Sequence, residues 1–269
     1  MSQAAHHSLS HLSPAASRLG AAFARPKAIA VICVVSLATL GWLTLALLTS
    51  GMPALDTLCR SISVSGVAGF ALVALMWGAM TLAMMLPSAA PMIFTYAEIA
   101  DTAARKGEPV VSPFMLATGY SAVWLGFALI AAVAQIALTR AAWIDAGMAS
   151  VSGLFSGTIF VTAGFYQFSA LKHACLTHCQ HPFPFFFAHW KTTPRGVFGL
   201  GLKQGLYCLG CCWAMMLVMF AVGAMNAVWM AALGVVMTVE KLGNGKRFTH
   251  IVGAGLVVIG IAFVLSSLV

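Results

Sequence analysis

Charge is what this chain has least of. Asp and Glu number six among 269 residues, and all charged residues make up 7%, against about a quarter in a soluble domain. That balance excludes an ordinary water-soluble globule. Hydrophobic residues make up 61%, so the chain reads as a polytopic membrane protein. In such a protein each helical span satisfies its own backbone hydrogen bonds, and no single large water-excluded core is required.

Other absences narrow the function. No Gly-rich loop closing on Lys-Ser/Thr is present, and no loop forms a catalytic domain, so an ATP-driven pump is disfavoured. No internal repeat stands out, which leaves the inverted-repeat transporter design without support. No cleavable signal stands out either, because the first apolar run is too long for a signal core and is expected to stay as an anchor. Cys208-x-x-Cys211 falls inside a span, not at the helix N-terminus that a dithiol redox centre uses. A disulfide between Cys208 and Cys212 within one intact helix is awkward, and a vicinal Cys211–Cys212 bridge is strained. Pump, inverted-repeat carrier and redox enzyme all recede.

What the chain has in abundance is apolar runs near the roughly 20 residues a bilayer demands. About seven spans are expected: Ala28–Thr49, Gly66–Leu86, Phe114–Thr139, Gly153–Leu171, Val197–Val222, Ala224–Glu240 and Thr249–Val269. The expected fold class is therefore an all-α transmembrane bundle over residues 28–269. Residues 1–27 are Ser, Ala and His-rich, with His6, His7 and His11, and are expected to form a disordered cytoplasmic tail.

The net charge of +8 has a topological reading. With the N-terminus inside, Arg18, Arg25, Lys27, Arg105, Lys106, Lys172, Lys191, Arg195, Lys241, Lys246 and Arg247 fall on the inner side. Arg60 and Arg140 fall outside, and Lys203 lies within a span. The positive-inside rule accounts for this distribution, so no nucleic-acid partner is needed. The lipid bilayer is the partner the sequence itself implies.

Three segments could carry chemistry. In the first, Met76, Met80 and Met84 recur at four-residue steps and form one stripe, followed by Pro87 and Pro91, which would kink the helix as it leaves the membrane. The stripe is a thioether ladder for Cu(I), or else adaptable filler between helices. In the second, Cys175 and Cys179 lie one helical turn apart, with His178 and His181 beside them. They form a metal site, or else two reduced structural thiols.

The third is densest. Cys208, Cys211 and Cys212 share one helix face, and Met215 and Met219 continue it. Thiolates and thioethers are soft donors that suit Cu(I) and, to a lesser degree, zinc. Gly201 and Gly205 lie on the same face and would admit a neighbouring helix. Cys208 is expected near the membrane midplane, about 15 Å of helical rise from the inner end. The Cys175/Cys179 pair is expected at the inner surface, so the two groups differ in depth by about 15 Å of helical rise unless span five is broken at Gly201 or Gly205. Of two further charges at membrane depth, Glu240 is expected to pair with Lys203, unless Lys203 snorkels to the surface.

These blocks together resemble a known family. Met76-Trp77, Met80, Ala83 to Pro87, Pro91-Met92, Tyr166-Gln167, Leu171-Lys172, Cys175, Cys179, Pro182, Tyr207-Cys208, Gly210 to Trp213, Met215-Met216 and Val239 to Lys241 are similar to the DUF2182 family. Its members are predicted metal-binding bacterial integral membrane proteins, among them a copper chaperone associated with tyrosinase. The resemblance runs from about Gly66 to Leu268, with the metal motifs inside residues 66–248. It implies copper handling in the bacterial inner membrane, no catalysis by the chain itself, and a cuproenzyme client or a membrane partner subunit. Zinc or another divalent ion moved by secondary transport, and a scaffold with packing cysteines, are the competing readings. Spans two, four and five are expected to converge so that their sulfur faces meet.

Overall fold

Caps and prolines set the helices. The computed structural model describes residues 26–49, 67–143, 152–223, 226–243 and 246–268. The tail at 1–25 and the outer loop with Asp56, Cys59 and Arg60 lie outside the described residues. The described helices are α1 (Pro26–Thr49), α2 (Val67–Arg105), α3 (Pro113–Arg140), α4 (Gly153–Tyr166), α5 (Ala170–Gln180), α6 (Pro182–Ala188), α7 (Pro194–Val222), α8 (Ala227–Leu242) and α9 (Lys246–Ser266). Ser112, Ser152, Ser169, Thr193 and Asn226 each accept a backbone N–H at the start of a helix, while Pro113, Pro182 and Pro194 occupy first-turn positions. Both devices serve the donors that the first turn leaves without partners.

Among the described residues no strand occurs, as the all-α expectation requires. Four helices, α2, α3, α7 and α9, are long and apolar enough to cross a membrane; α4 and α5 together make a fifth if they count as one broken span. Seven spans were expected. Helix α1 is 24 residues long and apolar beyond Lys27, whereas α8 has only 16 residues, short of the length a straight crossing needs.

Two departures from the expected spans shape the site. Helix α2 does not end after Leu86 but runs on through Pro87 and Pro91 to Arg105, 39 residues in all. Prolines there remove two ladder donors, and the neighbourhood is busy with side chains: both Tyr120 and Ser88 donate to the Met85 carbonyl. The second departure is a bend of 65° between α4 and α5. It falls at Gln167–Ser169, where the Ser169 hydroxyl starts a new helix by accepting from the Lys172 N–H.

The core forms where α2, α3 and α7 meet, with α5 and α8 closing it. Helix α7 packs mainly on α3, with α4 and α5 beside it. The glycines expected to admit a neighbour do so. A Cβ on Gly201 would stand 2.2 Å from the Leu116 carbonyl, and one on Gly119 would stand 2.2 Å from the Phe198 carbonyl. Only glycine permits backbones that close. One turn further along this crossing, Tyr120 and Cys208 come face to face.

Candidate metal centre

Three sulfurs come from one helix. Cys208, Cys211 and Cys212 of α7 are all buried, and their sulfur atoms lie within 4.8 Å of one another. Cys211 Sγ is 3.3 Å from Cys212 Sγ and donates to the Cys208 carbonyl at 3.2 Å. A fourth sulfur arrives from α5, where Cys179 Sγ lies 3.9 Å from Cys211 Sγ. An ion bound to thiolates at about 2.3 Å holds sulfur pairs roughly 3.8–4.6 Å apart, depending on whether the angle is tetrahedral or linear. The Cys179–Cys211 spacing falls in that range, whereas the Cys211–Cys212 pair is closer than two ligands of one ion and would have to open to share it. All six described cysteines are free thiols, so none of the four is tied up in a disulfide.

The bend between α4 and α5 makes this possible. A straight continuation of α4 would carry Cys179 away along the helix axis. The turn instead lays α5 against α7, so the surface pair and the mid-span group are joined through Cys179. Cys175 takes a different place. Its Sγ packs on Gly210, where an added Cβ would lie 2.6 Å away.

Cys208 is the most elaborately held sulfur. Lys241 Nζ donates to it at 3.0 Å and to Ser88 Oγ at 2.6 Å. The Tyr120 hydroxyl stands 3.0 Å from the same sulfur and donates to the Met85 carbonyl at 3.1 Å. Four helices therefore meet at one sulfur: α2 through Ser88 and Met85, α3 through Tyr120, α7 through Cys208 itself and α8 through Lys241. Between them lies a cavity of about 10 Å³ lined by Ser88, Ala89, Met92, Tyr120, Cys179, Gln204, Cys208 and Lys241. That is room for one water-sized guest. The buried Gln204 side chain borders it, and among the described residues its Nε2 has no hydrogen-bond partner. Orphaned buried donors are unusual, and this one marks the cavity as a place for a guest.

The ion pair beside the site corrects the sequence reading. Glu240 pairs with Lys172, Nζ to Oε2 at 2.8 Å, both side chains almost fully buried. Lys203 is solvent- or lipid-exposed on α7 and takes no part. Lys172 reaches Glu240 because α5 has turned inward. Lys172 and Lys241 are consequently core residues, not the loop charges that positive-inside counting made of them.

The remaining candidates divide. Met215 is buried on the cysteine face, and its sulfur accepts a hydrogen bond from Gln167 Nε2 at 2.8 Å. Met84 packs toward Gly234 of α8, and Met80 is buried in the core. Helix α2 enters the site through the Met85 carbonyl and Ser88. His178 is exposed and stacks on Tyr207 with ring centres 4.2 Å apart. Its ring is engaged by Tyr207, while the neighbouring Cys179 is the residue of α5 that meets Cys211. Tyr120 and Gln204 were not singled out from sequence, and Gln167 and Lys241 entered only as motif positions of the family resemblance and, for Lys241, as an inner-side charge. The available signal was a polar side chain inside an apolar run, which membrane interiors seldom tolerate without a task.

Neither a curated protein nor a solved structure matches the chain. A family profile described as copper chaperone, PpoB2, matches residues 74–263, which takes in every sulfur of the cluster and all its polar neighbours. The family resemblance read from the motifs is thereby shown. The chain belongs to the PpoB2 family of copper chaperones.

Proposed function

We propose that this protein is a membrane-embedded Cu(I) carrier that loads a cuproenzyme, with Cys208, Cys211, Cys212 and Cys179 as the donors that hold the cargo. The single observation that carries the reading is the convergence of four sulfurs from two helices on a buried site beside a lysine. Soft thiolates select Cu(I). Two thiolates around one Cu(I) leave a net charge of −1, and an uncompensated charge at membrane depth is costly. Lys241 supplies the balancing charge without occupying a ligand position on the metal. Tyr120 and Ser88 hold Cys208 and Lys241 in register.

Transfer follows from unequal exposure. Cys179 is half-exposed, whereas the three α7 cysteines are buried. Copper exchanges between the two groups one sulfur at a time, so the ion is never without a ligand. Met215, oriented by Gln167, offers a weaker thioether on the same face. Bound shallowly at several sites, the ion can also leave. The client is a copper enzyme in or beside the bacterial inner membrane. Secondary transport of a divalent ion would require Glu240 as a coupling group, and the Lys172 pair already engages it.

The test is metal content and affinity of anaerobically purified protein. Wild type should bind Cu(I) stoichiometrically in competition with a chromophoric Cu(I) chelator. Cys208→Ser and Cys211→Ser should each lose at least 100-fold in affinity, and the client oxidase should remain copper-free in cells carrying them. Wild type without bound copper, or serine variants with unchanged affinity, would overturn the reading.

A further inference from the structure

We infer that His173 of α5 and His250 of α9 form a second metal site, built from nitrogen, for a borderline transition-metal ion. The two Nε2 atoms face each other at 3.3 Å. A tetrahedral ion bound by two imidazoles at about 2.0–2.1 Å holds their nitrogens roughly 3.3–3.4 Å apart. The spacing also lies just beyond the usual hydrogen-bond range of about 2.7–3.2 Å. Imidazole pairs suit zinc, copper and their neighbours, and do not suit hard ions such as calcium or magnesium.

Both rings are held by structure that has no other need of them. On α5, Ser169 starts the helix and Lys172, next to His173, is fixed by its buried bond to Glu240. On α9, the ring of Phe168 lies 5.3 Å from that of His250. The helix itself is locked on α4 by glycines: a Cβ on Gly164 would stand 2.8 Å from the Gly253 carbonyl, and one on Gly157 would stand 2.7 Å from the Gly260 carbonyl. The backbones that carry the two histidines therefore have little freedom to drift apart. Because Glu240 neutralises Lys172, the buried lysine beside His173 adds no unbalanced charge.

The place of the pair gives it a use. His250 is exposed and lies in the second turn of α9, after Lys246 and Arg247, whereas His173 is half-buried. Two protein ligands leave two positions of a tetrahedral ion open to water or to another molecule's side chains. That is the coordination of a site that exchanges its ion. The sulfur site lies close in the fold: His173 adjoins Lys172, Lys172 bonds Glu240, and Lys241 bonds Cys208. The nitrogen pair is thus an outer station on the same end of the bundle, independent of the sulfurs in its ligands.

Cobalt(II) separates the two sites spectroscopically, because thiolate ligation gives intense near-ultraviolet charge-transfer bands and imidazole ligation does not. Full-length protein in detergent, stripped of metal and kept reduced, is titrated with Co(II). Wild type should take up one equivalent more than His250→Ala, with the thiolate bands equally intense in both. His173→Ala should match His250→Ala, and circular dichroism on all three confirms the helices. Equal uptake by wild type and His250→Ala would overturn the inference and leave an ordinary imidazole hydrogen bond. Loss of the thiolate bands in His250→Ala would overturn it too, by placing the histidine in the sulfur site. Failure of the sulfur reading would look different, as absent thiolate bands in wild type itself.

Discussion

Helices α7 and α9 are both apolar membrane-length segments, yet they live in different surroundings. Over its most apolar stretch α7 is 56% buried within the protein, whereas α9 is 22% buried. The faces differ accordingly. Helix α9 turns Ile251, Val258, Ile261 and Leu265 outward, the plain aliphatic surface that lipid tails accept. Helix α7 turns three thiols, three methionine sulfurs and an amide inward, toward protein. In a chain this apolar, hydrophobicity does not separate inside from outside. Soft and polar atoms do, because only protein can hydrogen-bond or ligate them at that depth.

That contrast can be broken deliberately. The largest effect is expected from Gly201→Leu, which forces α7 away from the Leu116 carbonyl on α3. Monodisperse protein should not be recovered after detergent extraction, as size-exclusion chromatography will show. Next comes Lys172→Met, which strands a buried carboxylate; removing one partner of such a pair costs about 3–5 kcal/mol. A lower thermal midpoint is expected, with most of the loss restored in the double variant Lys172→Met/Glu240→Gln. Lys241→Met should fold but bind Cu(I) roughly 10–100-fold more weakly, since a hydrogen bond to a charged group is worth about 1.5–3 kcal/mol. Chelator competition measures that. The smallest effect belongs to α9: Val258→Leu on the outward face should leave the thermal midpoint and copper affinity within about 0.5 kcal/mol of wild type. A large effect there would mean that this face is covered by protein.

Much of the fold and most of the sulfur set were legible in the sequence, for definite reasons. Helix spacing alone puts Cys208, Cys211 and Cys212 on one face, and nothing in tertiary packing can undo that. Gly201 and Gly205 announced a close crossing, though not that α3 would fill it. The 65° break between α4 and α5 was not legible, because Gln167-Phe168-Ser169 contains neither glycine nor proline and the run reads as one span. The misplacement of Lys172, Cys179 and the Glu240 partner descends from that bend. A straight span leaves Lys172 at the surface and Cys179 far from Cys211, and it leaves Glu240 to find Lys203. For the methionines, regular spacing marks a stripe, but which stripe faces the sulfurs depends on how α2 rotates. Met85 joins the network through its carbonyl, which accepts from Tyr120 and Ser88, a group that side-chain patterns do not describe.

Glu240 and Lys241 are neighbours in sequence that grip different helices, one holding α5 and the other holding Cys208 on α7 and Ser88 on α2. They lie at the end of α8, after all the cysteines. A chain made from its N-terminus therefore exposes its sulfurs to the cell before the residues that secure them have left the ribosome. The finished centre needs α8 in place, so the last-made part of the site is also the part that holds the others together and a wall of the cavity.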